Sequence, residues 1–176
     1  MMFTHDTTAA LSAAVTLVNS AEEPDTLRTP AQLDAFFASY DYTGSRTGDA
    51  AELEAVRALR APLRELLTAD RDGAVVIVNR MLAEHHAVPQ LVSHDQWGYH
   101  VHAVAADAPF AARIAVETAM AMIDVVRADE LSRLSLCADD TCGGIVLDLS
   151  RNRSRRFCST TCGNRVAAAA YRARRT

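Results

Sequence analysis

Four cysteines, all that the chain contains, lie between residues 137 and 162, in the run CADDTCGGIVLDLSRNRSRRFCSTTC. Four residues separate Cys137 from Cys142, fifteen follow, and three separate Cys158 from Cys162. Two close pairs at this distance can bend back onto one ion, and zinc takes four thiolates at tetrahedral corners. The spacing predicts a single structural Zn2+ held by Cys137, Cys142, Cys158 and Cys162. Two disulfides or four unrelated thiols would be the alternatives, but disulfides belong to oxidising compartments. Neither pair has the C-x-x-C spacing of redox thiols. Four sulfur ligands leave no open coordination position, so such a metal does not do catalysis. No G-x-S-x-G, H-E-x-x-H or P-loop occurs, and the acids suggest no catalytic pair. The expectation is a protein that is not an enzyme.

The second chemically loaded stretch overlaps the first. Residues 151–176 carry Arg151, Arg153, Arg155, Arg156, Arg165, Arg172, Arg174 and Arg175 and no acid. Residues 1–150 hold ten arginines against 22 acids, so the overall charge of −4 combines an acidic body with a basic tail. Arginine binds phosphates and guanine edges in bidentate fashion. An acidic body discourages indiscriminate binding to phosphate, so contact would concentrate on the tail. Asn164 joins these arginines as a candidate nucleic-acid contact. A cluster of zinc and four thiolates carries −2, so Arg156 and Arg165 could instead serve the metal, and Asn164 could hydrogen-bond within the knuckle.

These residues need elements to hold them. Leu11, Val15 and Val18 recur at helical spacing over 6–20. Thr29-Pro30-Ala31-Gln32 reads as a capping box opening a second helix that buries Leu33, Phe36 and Phe37. A third helix is expected over 49–67, kinked or divided at Pro62. Asp70 to Gly73 reads as a break before a fourth helix over 75–86. Two strands are expected at 90–93 and 97–104, the second burying Trp97 and Tyr99 and leaving His100 and His102 on a solvated face. The longest helix is expected over 110–133, joined rigidly to the first cysteine. Beyond it come a turn at Cys137–Cys142, a strand over 144–149, and a last helix capped by Ser159 or Thr160 with Cys162 in its first turn. On that helix Cys162, Val166, Ala169 and Ala173 would face the metal and hairpin. Asn164, Arg165, Arg172 and Arg175 would lie on the opposite flank. The fold class is mainly α. A helical domain with one β-hairpin occupies 1–134, and a treble-clef-like finger with a basic helix occupies 135–176.

The run Cys162-Gly163-Asn164-Arg165, within SRNRSRRFCSTTCGNRVAAAAYRARR at 150–175, resembles the CGNR zinc finger. The segments AAVTLVNS at 13–20 and TPAQLDAFF at 29–37 are similar to the ABATE domain that precedes this finger. Many members place four residues between the last two cysteines, where this chain has three. The resemblance implies a stress-induced transcription regulator.

Together these readings lead to a DNA-binding regulator whose N-terminal domain senses a signal or pairs with a partner. A single finger offers a small interface, so a homodimer is expected. A small-molecule effector would sit between the hairpin and the helices. Two other readings fit the same residues: a zinc-stapled protein-interaction adaptor, and an RNA-binding protein using Phe157 and Tyr171 for stacking. The start, MMFTHDTTAA, has no basic region followed by an apolar run, and the apolar stretch Ala74–Val78 is too short to span a bilayer. The expected location is the cytoplasm, with no membrane partner.

Overall fold

The computed structural model describes residues 3–40, 42–93 and 98–175. Its elements in chain order are α1 (His5–Asn19), α2 (Pro30–Ser39), α3 (Ala50–Ala58), α4 (Arg60–Thr68), α5 (Arg71–Glu84), β1 (Gln90–Ser93), β2 (Tyr99–His102), α6 (Phe110–Arg127), β3 (Leu134–Leu136), β4 (Ile145–Leu147) and α7 (Thr160–Ala173). The fold is mainly α, with two small antiparallel hairpins, β1–β2 and β3–β4.

Local chemistry explains most of the helix ends. The Thr29 hydroxyl accepts from the Gln32 amide, and the Gln32 side chain accepts from the Thr29 amide, so both halves of the capping box form. Asp49 caps α3 by accepting from Glu52 N at 2.8 Å. The helix expected over 49–67 is two helices meeting at Leu59. The Pro62 ring excludes helical geometry at the carbonyl four residues back, that of Ala58, the last residue of α3. Pro62 then sits in the first turn of α4, where no N–H is needed.

Two expectations fail at helix ends. The break expected over Asp70-Arg71-Asp72-Gly73 falls at Ala69 and Asp70, and Arg71-Asp72-Gly73 already belong to the next helix. Asp70 accepts from Gly73 N at 2.8 Å and starts α5, so a side-chain acceptor outweighs the helix-breaking tendency of the glycine. The helix expected over 110–133 stops at Arg127. Asp129 turns the chain with φ of 57°, and a single 3-10 turn at Leu131–Arg133 leads into β3.

The core forms around α1 and α6, which pack along each other; α3, α4 and α5 close over them. Leu11, Leu17, Leu63, Leu66, Ile114 and Met122 are fully buried, each worth about 2–3 kcal/mol. An aromatic corner joins α2 to α6: Tyr42 meets Phe110 edge-on at 4.9 Å, and Phe37 meets it at 5.2 Å. This same core contains Ile145 and Leu147 of β4. The boundary drawn at 134/135 falls inside β3, which pairs with β4.

The β1–β2 hairpin forms in register, with Leu91 opposite Val101 and Ser93 opposite Tyr99. Its burial is the reverse of expectation. Tyr99 is 80% exposed and Leu91 72%, while His100 and His102 are half-buried. The hairpin walls a cavity instead of lying flat on the core, so its apolar face meets open space. Trp97 and its expected burial lie outside the described residues. Among those described, no helix is long and apolar enough to cross a membrane.

Candidate metal centre and nucleic-acid interface

Each cysteine is delivered by a different local device. Cys137 follows β3 and pairs its N–H with Gly144 O at 2.8 Å, extending the hairpin by one rung. Cys142 ends a turn closed by its N–H to Asp139 O at 2.8 Å. Ser159 caps α7 by accepting from Cys162 N at 3.2 Å, which places Cys162 in the first helical turn and Cys158 just outside it. The four sulfurs lie within 4.8 Å of one another. Cys158 Sγ is 3.6 Å from Cys142 Sγ and 3.7 Å from Cys162 Sγ.

These separations fit zinc. A tetrahedron with Zn–S bonds of about 2.3 Å has edges of about 3.8 Å. A disulfide needs about 2.05 Å, and all four thiols are free. Burial pushes the Cys142 and Cys158 thiols up, and the Ser159 hydroxyl holds the Cys162 thiol down. Four thiolates this close, two buried and two half-buried, need a cation to stabilise their charge. Backbone amides already point at the sulfurs: Gly144 N to Cys142 Sγ at 3.3 Å and Cys158 N to Cys137 Sγ at 3.5 Å. A Cβ on Gly144 would fall 3.0 Å from Cys158 Sγ, so only glycine fits beside the site.

Sequence reasoning missed the acid that organises the knuckle. Asp139 is buried and accepts from Thr141 N, Thr141 Oγ1 and the Arg165 guanidinium. The Thr141 hydroxyl, with its amide and Arg165, holds the Asp139 carboxyl below its ordinary range despite burial. The signal was the spacing Asp139-x-Thr141, an Asx turn between two ligands.

The knuckle is also tied to the helical body. Asn19, at the end of α1, donates to Ile145 O at 2.8 Å and accepts from Ile145 N at 2.7 Å. The β3–β4 register makes Leu136 and Ile145 a non-hydrogen-bonded pair, so the polar groups of Ile145 point away from β3. Asn19 supplies what a third strand would. Arg64 of α4 bridges Glu22 at 2.8 Å and Gly143 O, and Glu22 accepts from Gly143 N at 3.1 Å.

The arginines divide into two sets. Arg153 donates to Ser132 Oγ at 3.0 Å and pairs with Glu130 at 2.8 Å. Arg155 directs its guanidinium to the carbonyls of Leu147, Phe157 and Cys158. Arg165 pairs with Asp139 and reaches Cys162 Sγ at 3.5 Å. These three hold the fold. Arg151, Asn164, Arg172 and Arg174 are exposed, and their side chains have no partner among the described residues. Arg156 lies 5.9 Å from the Phe157 ring and makes no ion pair among those residues. Among the described residues the Arg175 side chain bonds the Tyr171 hydroxyl, at 2.8 Å, beside its ring.

The last helix departs from expectation in its packing. Ala169 and Ala173 do not face the hairpin; residues 167–175 are all exposed. Only Cys162, Gly163 and Val166 pack inward, because the finger is too short to cover more than the first turn and a half. The rest of α7, about 10 Å long, projects from the metal centre.

No curated protein matches this chain. Residues 133–175 match the family model of the CGNR zinc finger. Residues 11–129, about two thirds of the chain, match the ABATE model, described as "Putative stress-induced transcription regulator". The sulfur cluster, the helical body and these two matches in the expected order lead to one conclusion: the chain belongs to the ABATE family and carries a CGNR zinc finger at its C-terminal end.

Proposed function

We propose that this protein is a DNA-binding transcriptional regulator, not an enzyme, in which the zinc finger presents α7 and its flanking arginines to the phosphate backbone while residues 1–134 sense a signal or dimerise. The observation that carries the reading is the projecting half of α7. It is exposed on every side, its central surface is the small run Ala167–Ala170, and it ends in Arg172, Arg174 and Arg175. A helix with small side chains can enter the major groove closely, while arginines at its end reach the backbone. Arg151 and Arg156, exposed on the loop before the helix, extend the same basic surface. Arg153, Arg155 and Arg165 support that surface without contacting DNA. One short helix offers a small interface, so two copies on adjacent half-sites are the expected binding unit.

The test is a titration of zinc-loaded protein with duplex DNA over a salt series. Five arginines on phosphates give a slope of log K against log salt of about −4.5, at about −0.9 per contact. Arg172→Glu with Arg174→Glu should weaken binding to every sequence alike. Absence of salt-dependent binding to DNA, with retention of a protein partner through the same arginines, would replace this reading with that of an adaptor.

A further inference from the structure

A cavity of about 1060 Å³ opens between the first half of α1, the last three turns of α6, the chain around Tyr42 and the β1–β2 hairpin. It is large enough for a drug-sized molecule. Its walls are mostly apolar, with Phe37, Met120, Ile123 and Val101 among them. Two residues of its wall carry polar groups without partners among the described residues. The Tyr42 hydroxyl is buried with no hydrogen bond among the described residues. Glu117, half-buried on α6, makes no hydrogen bond or ion pair with any of them.

Burial raises the Glu117 carboxyl to about 7; Arg113 opposes the shift and Asp6 adds to it. Arg113, one turn earlier, does not neutralise it, because its guanidinium is bonded to the carbonyls of Thr43 and Ser45. A half-buried acid and a buried phenol are both left without a hydrogen-bond partner among the described residues, and a ligand that bonds both would supply what they lack.

The charges around the cavity decide the sign of that ligand. Asp6, Glu117 and Asp124 line it against Arg127. Asp124 already accepts from the Thr7 hydroxyl at 2.6 Å. Of the histidines His5, His100 and His102, the last two sit with Nε2 atoms 3.0 Å apart, within hydrogen-bond distance of each other. An anion would meet three carboxylates. A metal is not favoured, since among the described residues only the cysteines bring three or more ligand atoms together. The aromatic rings of Phe37, Tyr40 and Tyr99 suit a cation with an apolar body.

We propose that this cavity binds a lipophilic organic cation, an amine on an aromatic or aliphatic body, with its ammonium group on Glu117 and an N–H or oxygen of the ligand on the Tyr42 hydroxyl. The proposal rests on the reading of residues 1–134 as the sensing half. Its test needs no nucleic acid, so it fails or stands separately from DNA binding.

Dansylcadaverine, an aromatic sulfonamide with a primary ammonium, is the probe, and its N-acetyl derivative is the neutral control. Full-length zinc-loaded protein at pH 8 should shift the probe's emission to the blue in a saturable titration. The acetylated probe should bind at least tenfold more weakly. Glu117→Gln should weaken the cationic probe at least tenfold and leave the acetylated probe within twofold. Tyr42→Phe, which keeps the ring, should weaken the cationic probe about threefold. Equal binding of the two probes to the unaltered protein, or no saturable binding, would overturn the proposal even if a variant failed to fold. Undiminished binding to folded Glu117→Gln would do the same.

Discussion

Asn19→Ala puts a defect in α1 and reads it at the metal centre. The Asn19 side chain makes two bonds to Ile145, whose own side chain is fully buried in the common core. Alanine removes both partners and leaves a donor and an acceptor on β4 unsatisfied. Each orphaned group costs about 1–3 kcal/mol. Water reaching the partly exposed Asn19 position lowers the sum to about 2–4 kcal/mol. For a chain of 176 residues, each kcal/mol shifts Tm by about 2–4 °C, so Tm should fall by about 4–16 °C. The same change frees Gly144, whose amide points at Cys142 Sγ and whose carbonyl holds Cys137 N. Zinc transfer to a chelating dye should therefore speed up, by roughly tenfold if 1.4 kcal/mol of the loss reaches the knuckle. Thermal melts followed by circular dichroism and zinc release measured on one preparation provide the two readouts. An unchanged Tm with unchanged zinc release would refute the argument that the helical body holds the finger. A lowered Tm with unchanged release would refute its coupling to the metal.

Two further outcomes test other parts of the structure. Glu117→Gln should stabilise the protein at high pH: a carboxyl raised to about 7 in the fold against 4.5 unfolded binds its proton where the unfolded chain has lost it, so stability falls as pH rises through that window. The gain at pH 8 should be about 2–3 kcal/mol after allowance for partial exposure, vanishing near pH 4.5, as read by melts at both values. Arg155→Ala removes donors to three carbonyls and should cost about 1–3 kcal/mol and hasten zinc release; a shallower salt slope for DNA with zinc retention intact would show instead that Arg155 contacts phosphate.

What the sequence determined by itself was whatever depends on neighbours a few residues away. The Thr29–Gln32 capping box, the division at Pro62 and the placement of Cys162 by Ser159 are closed by contacts within four residues. The spacing of the two cysteine pairs announced the sulfur cluster as well, although the fold joins those pairs across 16 and 21 positions. Asp70 could have been read the same way, as a cap three residues before Gly73.

Tertiary structure decided whatever depends on a partner far along the chain. Alternation marked two faces on β2 but not which face the body would cover, so Tyr99 was expected inside and is outside. Charge counting found eight tail arginines and could not separate Arg153, held by Glu130, from Arg172, which faces solvent. Nothing near Asn19 in sequence points to Ile145, 126 positions away. Glu117 reads in sequence as an ordinary helix residue; its lack of a partner exists only because α1, α6 and the hairpin enclose it while Arg113 turns to the loop at Thr43. Burial and pairing belong to the packed chain, because the free energy of a charge or an apolar face is set by what surrounds it in space.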